Sequence, residues 1–89
     1  MRRFQDAIEN YNLAIKYDPN YVQAYYNKGM TLEKLGKHQE AKKNFNLAVK
    51  YKPNLIEEYE KIIIGLRKLG NNRIADAFEQ KLKILKDNL

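Results

Sequence analysis

The chain repeats its own residue pattern, and the repeat has the same spacing as Pro19 and Pro53. We call this spacing the repeat period. Eight residues at and before the first proline-asparagine pair recur as the same residue types one period later. The first set is Asn10, Asn12, Leu13, Ala14, Lys16, Tyr17, Pro19 and Asn20, and the second is Asn44, Asn46, Leu47, Ala48, Lys50, Tyr51, Pro53 and Asn54. A chain of 89 residues with this period is a short array of one structural unit, in which each copy packs mainly on its neighbours.

Each unit carries the start and stop signals of two helices. Pro19 and Pro53 end one helix and open the next, because proline has no amide hydrogen and disfavours helix in the residue before it. Gly36 and Gly70 each follow a Lys-Leu pair, where a glycine in the left-handed conformation ends a helix. These signals predict five helices, at residues 2–17, 21–35, 38–51, 55–69 and 72–87.

The composition restricts the classes of protein that the chain can belong to. Apolar residues make up 44% and charged residues 31%, a balance typical of a folded, water-soluble domain. The longest apolar run, Ile62 to Ile64, is far too short to cross a bilayer. The chain has no Cys and no Ser, which excludes disulfides, thiolate metal sites and the two commonest nucleophiles. The amino-terminal residues lack the long apolar stretch of a signal peptide, so we expect a cytoplasmic location.

The middle unit resembles the tetratricopeptide repeat (TPR) family, whose unit consists of two antiparallel helices and has the same period. The residues at the signature positions of that family are Tyr25, Gly29, Leu32, Gly36, Ala41, Phe45, Ala48 and Pro53. The resemblance implies an all-α fold, a right-handed superhelical stack of antiparallel helix pairs with five helices in one continuous domain. It divides the chain into a half repeat with only a second helix at 1–21, a complete repeat at 22–55 and a divergent capping repeat at 56–89.

The third unit departs from the family pattern at three positions. Ile63 stands where a glycine is usual, Leu82 where a small residue is usual, and Asp87 where the proline is usual. We therefore expect no further repeat to follow it.

The resemblance also implies a function, because in this family one face of each first helix lines a concave groove that binds peptides. We therefore expect a non-catalytic protein-protein interaction scaffold that holds a peptide segment of a partner protein. Among the groove residues, Tyr26, Met30 and Ile64 are the expected apolar anchors on an otherwise polar face. The full predicted groove consists of Gln23, Tyr26, Asn27, Met30, Glu33, Lys34, Glu57, Glu60, Lys61, Ile64, Arg67 and Lys68.

Some family members clamp the free carboxyl terminus of a partner protein. Asn27 and Lys61 match two positions of that clamp, but Glu57 stands where the clamp needs a lysine. The helix that would carry the first two clamp residues does not precede the first unit. We therefore expect no tight binding of a free carboxyl-terminal peptide.

Residues with catalytic or metal-binding potential are few. His38 is the only imidazole and has no Ser, Cys or second His to act on, so we expect a half-buried packing residue. Glu57, Glu58 and Glu60 are spread around a helix start, where carboxylates suit the helix dipole, and Lys61 is an ion-pair partner for Glu57. We expect no enzyme activity, no metal and no cofactor.

Charge suggests an alternative function. The middle unit holds seven lysines against two glutamates, which accounts for five of the six net positive charges of the chain. Such a basic repeat could bind RNA or an acidic protein surface. The similar pentatricopeptide repeats bind RNA, but their unit is normally one residue longer and carries a glycine shortly before the proline, unlike Lys50-Tyr51-Lys52-Pro53. A protein or peptide is therefore the expected partner, and RNA or an acidic surface is the alternative.

An apolar stripe on the first predicted helix suggests self-association. One side of the stripe can pack on the next helix, but the other side has no preceding helix to meet. The chain is therefore either part of a longer array or covers the stripe by self-association, and we expect a homodimer, or exchange of the end helix, through residues 1–17 at high concentration. The stripe consists of Phe4, Ala7, Ile8, Tyr11, Ala14 and Ile15.

Overall fold

The computed structural model describes residues 2–89, which form five helices and no strand. All five predicted helices are confirmed, and no boundary differs from its predicted position by more than one residue. The helices are α1 (Arg2–Tyr17), α2 (Val22–Lys34), α3 (His38–Tyr51), α4 (Leu55–Lys68) and α5 (Asn72–Asp87). Short turns join consecutive helices, which run antiparallel. Helices α2 and α3 form the middle pair, and helices α4 and α5 form the third pair, named after the middle and third units of the sequence. Helix α1 precedes both pairs.

The two glycine turns have the geometry that the sequence predicts. Gly36 and Gly70 adopt φ angles of 77° and 78°, in the left-handed region that side chains disfavour. The amide of Gly36 donates to the carbonyl of Glu33 at 3.0 Å, and the amide of Lys37 donates to the carbonyl of Leu32 at 2.9 Å. This pair of bonds is a Schellman motif, which satisfies the last carbonyls of α2 and turns the chain toward α3.

The first proline turn is tied to the middle pair by an aromatic side chain. Tyr25 on α2 is buried, and its hydroxyl donates to the carbonyl of Pro19 at 2.8 Å. The ring of Tyr25 also stacks on the ring of Tyr51 at the end of α3, with 5.7 Å between centroids. The turn before α2 and the end of α3 are thus held on the same ring.

The closest packing of the molecule is between α2 and α3. Ala41, Phe45 and Ala48 on α3 have no exposed surface, and Leu32 on α2 is buried with them. A methyl group built on Gly29 would lie 2.9 Å from the Phe45 ring, closer than real side chains approach. The absence of a side chain at Gly29 therefore lets the Phe45 ring lie directly against the α2 backbone.

A row of aromatic rings links the middle pair to the third pair. The Tyr26 ring lies 5.8 Å from the Phe45 ring and 5.5 Å from the Tyr59 ring on α4, and Tyr59 lies 6.0 Å from Phe78 on α5. These centroid distances and the tilted ring planes are the arrangement that aromatic side chains prefer. The core is therefore continuous from α2 to α5.

The first helix packs on one side only. Its apolar residues are at most half-buried, and of these Ile8 and Ile15 pack against the buried core. None of the helices described over residues 2–89 is long and apolar enough to cross a membrane.

Candidate peptide-binding surface

The predicted groove residues divide between α2 and α4, and most of them are accessible. Eight of the twelve side chains are exposed: Gln23 and Lys34 on α2, and Glu57, Glu60, Lys61, Ile64, Arg67 and Lys68 on α4. Three more are half-buried, namely Asn27, Met30 and Glu33. Tyr26 is the one fully buried member. Below, the polar face means the uncovered side of α2 and α4 that carries the accessible residues.

Tyr26 is not an exposed anchor, and this prediction is corrected. Only 2% of Tyr26 is exposed, because α4 covers it and Tyr59 lies against its ring. Burial raises the pKa of the Tyr26 hydroxyl far above its ordinary value, and the neighbouring Tyr59 adds to this shift. Tyr26 supports the groove from inside the core, where a bound peptide would not touch it.

The α2 part of the polar face carries amides and one sulfur-containing side chain. The side-chain amide of Gln23 donates to the side-chain carbonyl of Asn27 at 3.1 Å. Met30 lies one turn further on and packs partly against the core. This arrangement offers hydrogen-bonding groups for a peptide backbone next to a flexible apolar contact.

The α4 carboxylates form ion pairs other than the predicted one. Glu57 and Lys61 make no ion pair with each other, so that prediction is wrong. Instead, Glu58 accepts from Lys52 at 2.7 Å, across the turn between α3 and α4. The Lys61 ammonium group is accessible, and no carboxylate pairs with it within the described residues.

Two other predicted groove residues are engaged by α5. Arg67 contacts Glu79 at 2.6 Å and Asp76 at 2.9 Å, and the two carboxylates raise the pKa of its guanidinium group. Lys86 near the end of α5 lies 3.5 Å from Glu60. These contacts join α4 to α5, so Arg67 and Glu60 already have partners within the chain.

A groove of about 780 Å³ lies between α4 and α5 at the carboxyl-terminal end of the stack, and we call it the end groove. Its floor is apolar and is formed by Ile63, Ile64 and Leu82. Ile64 is 55% exposed, so the predicted apolar anchor on α4 is accessible and lines this groove. The charged residues around the floor are Glu60, Asp76, Glu79, Lys83, Lys86 and Asp87.

His38 is not a packing residue, and that prediction is also corrected. Its side chain is 67% exposed, and its Nδ1 atom lies 2.8 Å from Oε1 of Glu33. The carboxylate at the end of α2 holds the imidazole at the start of α3, so the ring stays at the surface. Glu33, a predicted groove residue, is thus engaged by the next helix.

A basic surface lies on the outer side of α3. Lys42, Lys43 and Lys50 are exposed there, and none of them pairs with a carboxylate within residues 2–89. We call this surface the basic face. A groove of about 420 Å³ runs beside it. It is lined by His38, Gln39, Lys42, Lys43, Asn46 and Asn88, so its lining holds no acidic residue.

Nothing in the described part of the chain resembles a metal centre. Across residues 2–89, no three or more His, Asp or Glu side chains come together in a way that could hold a metal ion. Glu58 and Glu60, two members of the acidic cluster, point to separate lysines instead.

Two family models match the sequence. The model described as "Tetratricopeptide repeat" matches residues 22–55, and the model described as "TPR repeat" matches residues 3–36. Together the matches cover residues 3–55, more than half of the chain. The chain belongs to the tetratricopeptide repeat family. TPR repeats generally mediate protein-protein interaction, and no curated protein matches this TPR chain significantly in sequence.

Solved structures support the same architecture. Two of them, titled "Crystal structure of MamA" and "Crystal structure of MamA protein", match with TM-scores of 0.60 and 0.59, both at 25% sequence identity. The matches cover 96% and 94% of this TPR chain but 50% and 46% of the MamA chains. The chain thus spans about half the length of these proteins, and the predicted all-α stack of TPR type is confirmed.

Proposed function

We propose that this TPR domain is a non-catalytic scaffold that binds a peptide segment of a partner protein on the polar face of α2 and α4. The observation that carries the proposal is the accessibility of this face in a TPR fold. Pairing with α3 and α5 buries the other sides of the two helices, while Gln23, Lys61 and Lys68 stay in solvent. A curved surface left uncovered by helix stacking is the surface on which repeat proteins hold partners.

The residues of this face suggest how a peptide would be held. Asn27 and Gln23 can exchange their mutual hydrogen bond for bonds to the backbone of an extended peptide. Met30 supplies an adaptable apolar contact, and Lys61 supplies a positive charge for an acidic side chain of the partner. Tyr26 and Glu33 act indirectly, because one is buried under α4 and the other is paired with His38.

The absence of catalysis is part of the proposal. The chain has no Ser or Cys nucleophile, and its one imidazole is at the surface beside a carboxylate. A general base needs a group to activate, and the chain offers His38 no Ser, Cys or second His for that role.

A displayed library of linear peptides would test the proposed binding face. We expect selected peptides to bind the wild-type domain in calorimetry and to lose about tenfold or more in affinity with Met30→Glu or Lys61→Glu. The matched control is Leu13→Glu, because Leu13 is also exposed but lies on α1, which carries none of the predicted groove residues. Equal losses in all three variants, or selected peptides that ignore Met30 and Lys61, would contradict the proposal.

The basic face supports a second candidate function, the binding of RNA or an acidic protein surface. The lysines of this face are exposed and have no carboxylate partner in residues 2–89, and the groove beside them holds no acidic residue. These features favour the binding of a polyanion at Lys42, Lys43 and Asn46. Titration with poly-uridine at rising salt separates the two functions. An RNA-binding module would show a steep salt dependence, and Lys42→Glu with Lys43→Glu would abolish binding. A peptide-binding scaffold would bind little poly-uridine at physiological ionic strength.

We also propose that α1 supports self-association. Ala7, Tyr11 and Ala14 are the counterparts of Ala41, Phe45 and Ala48 one repeat period earlier, but the first three are only half-buried whereas the last three are fully buried. Contact with a second copy would cover this uncovered side of α1.

Light scattering at millimolar protein would test the self-association. We expect a mass above 10.6 kDa that falls toward the monomer value with the double variant Phe4→Glu and Ile8→Glu. A strict monomer at that concentration would contradict it.

A further inference from the structure

The two adjacent lysines of the basic face, Lys42 and Lys43, are not part of the repeat pattern. One repeat period earlier these positions hold isoleucine and glutamate, and one period later they hold aspartate and alanine. The neighbouring Ala41 has no exposed surface, and its position holds alanine in all three units. The fold therefore fixes the buried position but does not require lysine at the two surface positions.

The charge of these two lysines is available to a ligand. Elsewhere in the chain, the Arg67 guanidinium group contacts two carboxylates, and Lys86 contacts Glu60. Lys42 and Lys43 are exposed and form no ion pair within residues 2–89. The acidic residue in the first turn of α3, Glu40, does not line the groove beside them.

The groove beside the basic face follows one side of α3. Its α3 residues succeed one another at intervals of three and four, which places their side chains on the same side of the helix. Between the first and the last of them the helix rises about 12 Å, the length of about four residues of an extended chain. Asn88, which follows α5, lines the groove as well. The α3 residues are His38, Gln39, Lys42, Lys43 and Asn46.

The chemistry of the lining favours a protein ligand over RNA. None of the six lining residues is a Phe, Tyr, Trp or Arg, and the one ring among them, the imidazole of His38, is held by Glu33. Single-stranded RNA is held largely by stacking of its bases on such rings and on guanidinium groups. Lysine ammonium groups pair with carboxylates, and amide side chains such as Gln39 and Asn46 can both donate to and accept from a peptide backbone.

We propose that the basic face binds an acidic segment of a partner protein in an extended conformation. The proposal rests on the second candidate function given above and commits it to a protein ligand. Side chains of an extended chain alternate between two sides, so two acidic residues separated by one residue both point toward α3. Their carboxylates pair with Lys42 and Lys43, while the backbone between them bonds to the side-chain amides of Gln39 and Asn46.

The basic face and the polar face can be tested separately. None of the predicted groove residues on α2 and α4 lines the groove beside the basic face. Lys34 and Lys68 lie on the polar face and are exposed, so their replacement removes the same charge from a different surface.

The test is titration of the isotope-labelled full chain with a short peptide in which glutamate alternates with serine, followed by amide chemical shifts in NMR. At physiological ionic strength we expect saturable shifts at the residues that line the groove, and no shifts with the same peptide carrying glutamine in place of glutamate. The double variant Lys42→Gln with Lys43→Gln should weaken binding about fivefold or more, because two ion pairs are lost. Lys34→Gln with Lys68→Gln is the matched control and should keep the wild-type affinity.

A different nature of the ligand would overturn the proposal. Poly-uridine that shifts the same groove residues at the same ionic strength and displaces the peptide would identify RNA as the ligand, and the basic face would stand as a binding surface. Equal binding of the glutamine peptide would show that the carboxylates are not recognised. An absence of shifts at the groove residues with both ligands would remove the basic face as a binding surface.

A different location of the peptide would also overturn it. Shifts limited to Gln23, Asn27 and Lys61, with a loss only in the Lys34→Gln and Lys68→Gln variant, would place the acidic peptide on the polar face. That result would leave the proposed scaffold function standing. Equal losses in both double variants, with both folded by circular dichroism, would show that the peptide responds only to the net charge of the chain.

Discussion

The middle and third helix pairs follow the same repeat pattern but are closed by different side chains. In the middle pair, Gly29 lets the Phe45 ring lie against the helix backbone. In the third pair, Ile63 stands at the position of Gly29, and Glu79, at the position of Phe45, reaches Arg67 at the surface. The same pairing of helices can therefore be closed by an aromatic ring in the core or by an aliphatic side chain together with ion pairs at the surface.

The difference predicts an uneven distribution of stability along the stack. The fully buried aromatic ring of the middle pair contributes more than a surface ion pair, which is worth little in water. The middle pair should therefore be the stable part of the domain, and the third pair should be the more adaptable part. The open end groove belongs to this adaptable part.

Removal of the central ring should have the largest effect. We expect Phe45→Ala to lower the free energy of unfolding by about 3–5 kcal/mol, because the surrounding helices cannot close the cavity completely. That loss is a large part of the stability of a small domain. The control is Phe78→Ala, which removes a partly exposed ring of the third pair and should cost less. Urea unfolding followed by circular dichroism measures both, and an equal or larger loss for Phe78→Ala would break the comparison.

A substitution at the middle crossing should come next. We expect Gly29→Leu to destabilise by about 1–3 kcal/mol or more, because even a methyl group there would meet the Phe45 ring at 2.9 Å. The matched control is Gly65→Ala in α4, where an added methyl group has no neighbour within 4 Å. This control should stabilise by about 0.5–1 kcal/mol through higher helix propensity. Melting temperatures that fall in both variants would contradict the difference between the two glycines.

The sequence predicted the fold almost completely because the folding signals are local. Proline and glycine at fixed intervals set the ends of all five helices, and Gly36 and Gly70 have the predicted left-handed conformation.

The errors concern contacts between side chains of different helices. The prediction for Tyr26 rests on its place on the groove-lining face of the first helix, and it does not include α4, which covers Tyr26. The prediction for His38 rests on the lack of a catalytic partner in the sequence, and it does not include the carboxylate of Glu33 on the preceding helix, which holds the imidazole at the surface. The end groove was missed because the predicted groove includes only the first helix of each unit, whereas half of the end groove is formed by α5, a second helix. A comparison of each residue with its counterpart one period away is the signal that could have found it.

The two buried tyrosines at the contact between α2 and α4, Tyr26 and Tyr59, predict an effect of alkaline pH. Burial raises the pKa of Tyr26 and Tyr59 in the folded state above the ordinary value of about 10 in the unfolded chain. Their contribution to stability is therefore complete below pH ~10 and is lost as the pH rises above it. Thermal melts between pH 8 and pH ~11 should show a smaller alkaline loss for Tyr26→Phe than for wild type. Tyr17→Phe, at an exposed tyrosine, should leave the alkaline loss unchanged.

The surface ion pairs of the third pair should have the smallest effect. We expect Arg67→Ala to change the melting temperature less than any of the core variants, because Arg67 and its two carboxylates are exposed. The change should become smaller at high salt. A loss as large as that of Phe45→Ala would show that the third pair depends on this cluster, against the comparison.

A double-mutant cycle between Gly29→Ala and Phe45→Leu tests most directly whether the middle crossing is closed by the ring lying on the glycine. We expect Gly29→Ala to cost clearly less in the Phe45→Leu background, with a coupling of about 1 kcal/mol or more, because the smaller side chain makes room for the added methyl group. Strictly additive changes in the free energy of unfolding would mean that the two residues do not meet, and the proposed closure of the middle pair would be wrong.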